Sequence, residues 1–200
     1  MRDLKYLVLC LLIFSSIYSC QEEEVRYIKP YILAGEKNEK GIVYYDFDPD
    51  YGFQFNPPQS TSEYFIDLNS DSYSDFKIVF FGSESSGQGN FSNKIIPLNN
   101  NEVVVLESNK SWADTIRFNG MIDANLLWSD SSVLIYSYIY NDTLGQNHQG
   151  VWKDASNKYL GLKVVNNDGE LFGWLRLEIS DGTDLTLMEH AGIVPLFVEM

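Results

Sequence analysis

Residues Lys158–Ser180 read "KYLGLKVVNNDGELFGWLRLEIS". Two apolar arms flank Asn167-Asp168-Gly169, a triplet that suits the positive φ values of a tight hairpin turn. In the first arm Leu160, Leu162 and Val164 alternate, and alternation places them on one face of a strand. In the second arm Leu171, Leu175, Leu177 and Ile179 share a face in the same way. Apolar residues at period two on both sides of a turn predict an antiparallel hairpin.

The rest of the chain repeats this grammar. "GIVYYDF" (Gly41–Phe47) runs into the turn signal "DPDYG", and "DFKIVFF" (Asp75–Phe81) ends at Gly82. "EVVVLES" (Glu102–Ser108) follows three asparagines, and "SVLIYSYIY" (Ser132–Tyr140) ends at "NDTLG". "GSESSGQGNFSN" (Gly82–Asn93) reads as a mobile Gly/Ser loop. Tyr and Phe dominate an aromatic content of 14%, and short strands with turn residues between them predict an all-β fold. The expected architecture is a two-sheet sandwich, jelly-roll-like, formed by a single domain over residues 26–200.

The first residues, "MRDLKYLVLCLLIFSSIYSC", place Arg2 and Lys5 before an uncharged run from Tyr6 to Ile17. This is the cationic and apolar pattern of a secretory leader, and it is shorter than the ~20 apolar residues of a membrane-spanning helix. Ile17-Tyr18-Ser19-Cys20 resembles a bacterial lipobox, with Ile17 and Tyr18 departing from its usual residues. That resemblance implies cleavage after residue 19 and lipidation of Cys20. The acidic run Gln21-Glu22-Glu23-Glu24 resembles the export tag of Bacteroidota surface lipoproteins, and residues 20–25 read as a tether. The expected address is therefore the outer membrane, facing out of the cell, with acyl chains as the membrane contact. Each buried CH₂ of such chains contributes roughly 0.8 kcal/mol.

Loss of residues 1–19 removes Arg2, Lys5 and Asp3, two of 14 cations and one of 28 anions, and leaves a net charge near −15. So acidic a chain repels nucleic acid and anionic headgroups. Cys10 and Cys20 are the only cysteines, so the mature domain has no disulfide, no thiol nucleophile and no cysteine zinc site. Core burial must hold it together, and a domain of this size buries roughly 70% of its unfolded surface.

"FIDLNSDSYSDFKI" (Phe65–Ile78) sets Asp67, Asn69, Asp71 and Asp75 at odd positions between two apolar runs. With the carbonyl of Tyr73, these oxygens make a calcium-ligand set, because calcium takes six to eight hard oxygen donors. The spacing resembles the DxDxDGxxD loops of integrin-like propellers. Ser72 stands where those loops carry Gly, and a positive φ there costs Ser about 1 kcal/mol. Affinity in the ~10⁻⁴ to 10⁻³ M class of extracellular modules is expected, for a structural ion. A polar turn rich in Asp, Asn and Ser without any metal is the alternative.

Catalytic signatures are few. His148 and His190 lie in no zinc-binding spacing, and no G-x-S-x-G elbow or phosphate loop occurs. A pair of glycosidase carboxylates cannot be singled out among so many acids. The tryptophans Trp152 and Trp174 read as core, and Trp128, in "LLWSDSS", is the candidate for a loop edge that stacks on a sugar.

"FNGMID" (Phe118–Asp123), "GVWKD" (Gly150–Asp154), "KYLGLKV" (Lys158–Val164), "LFGWLRLEI" (Leu171–Ile179) and "LTLMEHA" (Leu185–Ala191) resemble segments of uncharacterised lipid-anchored surface proteins of Bacteroidota. In those proteins a segment like "DLNSDSYSDFKI" precedes the series. The likeness implies a β-sandwich and an exported address, and no activity comes with it. Close packing against Trp174 or Tyr159 is the expected reason for Gly161 and Gly173. The function expected overall is a non-catalytic lipoprotein that binds a partner such as glycan. The alternatives are an assembly component that contacts envelope protein, and a carbohydrate-active enzyme.

Overall fold

A computed structural model describes residues 25–167, 169–180 and 184–198. The leader, Cys20 and the acidic run that follows it lie outside the described residues. Sixteen strands are described, and no helix among them. The first eight are β1 (Val25–Tyr27), β2 (Tyr31–Leu33), β3 (Ile42–Gly52), β4 (Gln59–Ile66), β5 (Phe76–Ser85), β6 (Gln88–Pro97), β7 (Glu102–Val104) and β8 (Ile116–Arg117). The second eight are β9 (Met121–Asp123), β10 (Trp128–Ser129), β11 (Val133–Asn141), β12 (Gly145–Gln149), β13 (Lys158–Asn166), β14 (Gly169–Ser180), β15 (Asp184–Ile193) and β16 (Leu196–Val198).

Strands β1 and β16 pair antiparallel, Val25 opposite Val198, and form a small unit of their own. The main body, Ile28–Pro195, is the expected all-β sandwich. Its larger sheet has the order β10-β7-β13-β14-β15-β3, with β8 also paired to β13. Its smaller sheet has the order β12-β11-β6-β5-β4. Sequence neighbours are sheet neighbours in β4–β5–β6 and β13–β14–β15, so meanders build most of both sheets.

The Lys158–Ser180 hairpin forms as its pattern predicts, with Asn166 opposite Gly169 and Leu162 opposite Gly173. Leu160, Leu162, Leu175 and Leu177 are fully buried, in one core cluster with the smaller sheet's Ile78, Phe80 and Ile135. The other face of β13 and β14 is buried as well, because β2 and β9 lie against β14. Ile32 and Ile122, cross-strand partners in that small cover, are both fully buried. Trp174 and Tyr159 fill this outer layer edge to face at 5.2 Å. Glu189 is buried there too, and accepts hydrogen bonds from Lys37 Nζ, from Tyr44 Oη at 2.7 Å and from Arg176 Nη1 at 3.3 Å.

Three local readings are corrected. "GSESSGQGNFSN" is no loop: β5 and β6 meet at Ser86-Gly87, whose φ values of 48° and 76° make the two-residue turn of a tight hairpin. "DPDYG" does not end a strand, since β3 continues to Gly52. Its ladder with β15 skips from Asp46 to Tyr51, and Pro49, which has no N–H to donate, lies inside that gap. At the glycines, a Cβ on Gly161 would meet Val104 and Ile116, and one on Gly173 would meet Leu68, so aliphatic side chains rather than aromatic rings fill both places.

Candidate functional site

The gap in the β3 ladder lies in the wall of a broad cleft. The ladder with β15 resumes at Tyr51 and Gly52, and Phe53–Phe55 then crosses from the larger sheet toward the smaller one. Phe53 keeps one foot on each: its N–H donates to Leu185 O at 3.0 Å, and its ring stacks on Phe80 at 6.0 Å. Phe55 reaches further and packs edge to face on Phe91 at 5.0 Å.

Two glycines of the smaller sheet seat the cleft's aromatic rings. A Cβ on Gly82 would come within 2.5 Å of the Phe55 ring, and one on Gly89 within 2.1 Å of the Tyr140 ring. Gly89 and Tyr140 are cross-strand partners, so the ring of β11 lies flat over the bare backbone of β6. The resulting cleft has a volume of about 1170 Å³. Its walls carry Tyr51, Phe55 and Tyr140 together with the carboxylates of Asp50, Glu84 and Asp184. Tyr140 Oη donates to Glu84, and this bond, followed by burial and the neighbouring negative charges, pushes its pKa up to about 12. The phenol therefore stays protonated.

A second cavity of about 300 Å³ opens where edge strands β3 and β4 face each other. Tyr45, Tyr64, Asp67 and His190 line it. Tyr45 stacks on His190 at 5.2 Å, Phe47 meets Tyr64 at 5.3 Å, and Tyr64 meets Tyr51 at 4.7 Å. Rings rather than backbone hydrogen bonds hold this side of the sandwich together. His190 is buried, its Nδ1 has no hydrogen-bond partner, and burial lowers its pKa from 6.5 to about 4 against a weak upward pull from Asp67.

The Asp67–Asp75 segment joins β4 to β5. Asp67 accepts N–H groups from Asp71 at 3.2 Å and Ser72 at 2.8 Å, and Asn69 and Asp71 accept those of Asp71 and Tyr73. Ser72 takes a φ of 73°, the conformation for which Gly is preferred. Asp75 turns the other way, into the core. Its carboxylate accepts Leu68 N–H at 2.8 Å and the Asn101 amide at 3.1 Å. Burial raises its pKa to about 6, these two bonds oppose the rise, and the charges of Asp71 and Asp67 add to it. Tyr73 is 74% exposed. Among the described residues no three acidic, histidine or cysteine side chains converge as a ligand set. Asp67, Asn69 and Asp71 come together, while both Asp75 oxygens serve the hairpin base.

Trp128 is half-buried, with its indole N–H donated to Asp123 O at 3.1 Å. Lys163 Nζ lies 5.1 Å from its ring centre, and Phe172 packs beside it at 5.8 Å. Its faces and its donor are thus engaged within the fold. Trp152 and Trp174 are core residues, each fully buried. His148 stacks on Tyr138 at 4.6 Å and hydrogen-bonds Tyr136, away from the cleft. The cleft aromatics had a signal in the sequence: residues 44–55, "YYDFDPDYGFQF", hold six aromatic residues in twelve. Reading "DPDYG" as a turn hid them.

No family model, curated protein or solved structure matches this chain.

Proposed function

We propose that the chain is an exported, lipid-anchored module that binds carbohydrate without catalysis, held to the outer membrane by acyl chains on Cys20. The observation that carries the binding part is the cleft that sets Tyr51, Phe55 and Tyr140 beside Asp50, Glu84 and Asp184. A sugar ring offers a C–H face to an aromatic ring and hydroxyl donors to carboxylates, and this wall supplies both partners. Tyr51 is 38% exposed, so part of its side chain is open to solvent in that wall.

The leader, the lipobox-like segment and the acidic tag support the anchored address. Calcium in the Asp67–Asp71 turn, with Asp67, Asn69, Asp71 and the Tyr73 carbonyl as donors, is part of the same reading. The ion would brace the turn at the end of the β3–β4 seam.

A second reading draws on the same wall. Three carboxylates around one cleft also suit a glycoside hydrolase, in which two acids face each other across the scissile bond.

The test is a glycan array probed with the mature chain and with Tyr51→Ala. Binding by the parent and its loss in the variant, at an unchanged melting temperature, is the expected result. Silence across the whole array removes the carbohydrate reading. Shortened sugars released from a bound oligosaccharide replace the non-catalytic reading with the hydrolase.

A further inference from the structure

The carbohydrate reading leaves the kind of sugar open. The geometry points to a linear, uncharged glycan chain that lies across both cavities at once, and this inference rests on that reading.

The two cavities are not separate sites. Tyr51 lines the larger one, Tyr64 lines the smaller one, and their rings are 4.7 Å apart. Tyr45, 50% exposed, extends the row to the far end of the smaller cavity. The β15 partners of Tyr45 and Tyr51, His190 and Leu187, are three residues apart, so across the bulge the two tyrosines are separated by roughly 10 Å along the sheet. With the cavity of about 1170 Å³ adjoining Tyr51, a row of that length suits a chain of a few sugar rings, longer than the larger cavity alone would take.

Charge narrows the ligand further. Neither cavity has a Lys or Arg among its described lining residues, while Asp50, Glu84 and Asp184 line the first and Asp67 the second. A polyuronate or sulfated chain would bring its own negative charges against these carboxylates, on a protein already near net −15 after loss of its leader. Hydroxyl groups meet the same carboxylates as donors and carry no such penalty.

An added peptide strand fits less well. The exposed side of β3 carries Asp46, Asp48, Pro49 and Asp50, and charges and proline on an edge strand discourage strand addition. What the seam offers is ring faces. A wholly apolar occupant would cover the carboxylates without giving them a donor.

The experiment is calorimetric titration of the mature chain, in detergent, with neutral oligosaccharides from disaccharide to octasaccharide. Xylan and mixed-linkage glucan fragments form the neutral series, and oligogalacturonates of matched length the anionic one. Affinity is expected to rise with neutral chain length and then level off, with oligogalacturonates weaker throughout. Tyr45→Ala should remove about tenfold of affinity for the long neutral chains, the worth of one stacked ring, and leave the shortest ones unchanged. Tyr64→Ala serves as the second variant, with its melting temperature measured alongside. Equal affinity for short and long neutral chains overturns the two-cavity inference and leaves the carbohydrate reading standing. Tighter binding of oligogalacturonates overturns the charge argument. No binding by either series overturns the carbohydrate reading itself.

Discussion

Leu68 closes over Gly192: a Cβ on that glycine would lie 2.4 Å from the Leu68 carbonyl oxygen and 2.8 Å from its Cγ. Gly173, the cross-strand partner of Gly192, leaves the other half of the gap, with Leu68 Cδ2 2.7 Å from its own Cβ position. The residue that follows Asp67 is thus seated in a trench of two bare backbones in the larger sheet.

Substitutions here should be costly from either side. Gly192→Ala and Gly173→Ala each set a methyl against a backbone oxygen, and overpacking of this kind costs typically ~1–3 kcal/mol. Leu68→Ala empties the trench and should cost ~2–5 kcal/mol. Urea unfolding of the three variants checks this. A midpoint unmoved in Gly192→Ala would show that the sheets move apart freely at this point.

Asn101 is a second buried position that tolerates little change. It is 1% exposed, its amide donates to Asp75 Oδ1 and to the Asp75 carbonyl, and its own oxygen accepts Val165 N–H at 2.9 Å. Asn101→Ala leaves a buried carboxylate and a backbone N–H without these partners, a loss of about 1–3 kcal/mol for each unmet group. Asn101→Asp should be worse, because it sets a second acid against Asp75. Denaturant midpoints rank the two.

Calcium gives a separate readout. The melting temperature should rise between chelator and millimolar calcium, since an ion that binds only the folded state stabilises it by mass action. Asp67→Asn combined with Asp71→Asn should abolish the rise. Magnesium, which demands octahedral geometry and keeps its waters, should not reproduce it. Coincident melting curves with and without calcium would remove the metal from the proposal.

Acid should act through His190. Its pKa is lowered from 6.5 to about 4 by burial, so the unfolded chain takes up a proton at higher pH than the folded one. Stability contributed by the neutral ring is therefore complete above pH 6.5 and lost as pH falls toward 4, on the order of 3 kcal/mol in all. Glu189 adds a loss of the same sign below its ordinary value of 4.5: burial works to raise its pKa, but the bonds from Lys37 and Tyr44 outweigh burial and hold it lower. Asp75, raised to about 6, acts in the opposite sense and gains stability as pH falls. The difference between parent and His190→Phe isolates the histidine. Parallel profiles for the two would show that His190 takes its proton in the folded state as readily as in the unfolded one.

Much of the fold was legible because strands announce themselves through period two. Leu160 and Leu162 alternate in the first arm of the hairpin and Leu175 and Leu177 in the second, and all four are fully buried. What periodicity does not carry is a second covering layer. Lys163 and Trp174 alternate with those leucines yet are also buried, because Trp128 lies under the Lys163 ammonium and the distant strands β2 and β9 lie against β14. The acidic turn was legible as a set of oxygen donors, but the inward aim of Asp75 depends on Asn101, 26 residues on in the connection between β6 and β7. The cleft was hidden for a related reason. Pro49 usually marks a turn, and only the pairing of β3 with β15 shows that here it marks a bulge inside a strand.

The crossing made by Phe53–Phe55 has a mechanical consequence. Because Phe53 is bonded to β15 and stacked on β5, this segment is a strap between layers whose facing edges share side-chain contacts and no ladder. A polymer lying along the strap would act as a splint. Its footprint would appear as slowed amide hydrogen exchange on both sides of the seam, in β3 and in β4 together, although the two strands exchange no hydrogen bond with each other.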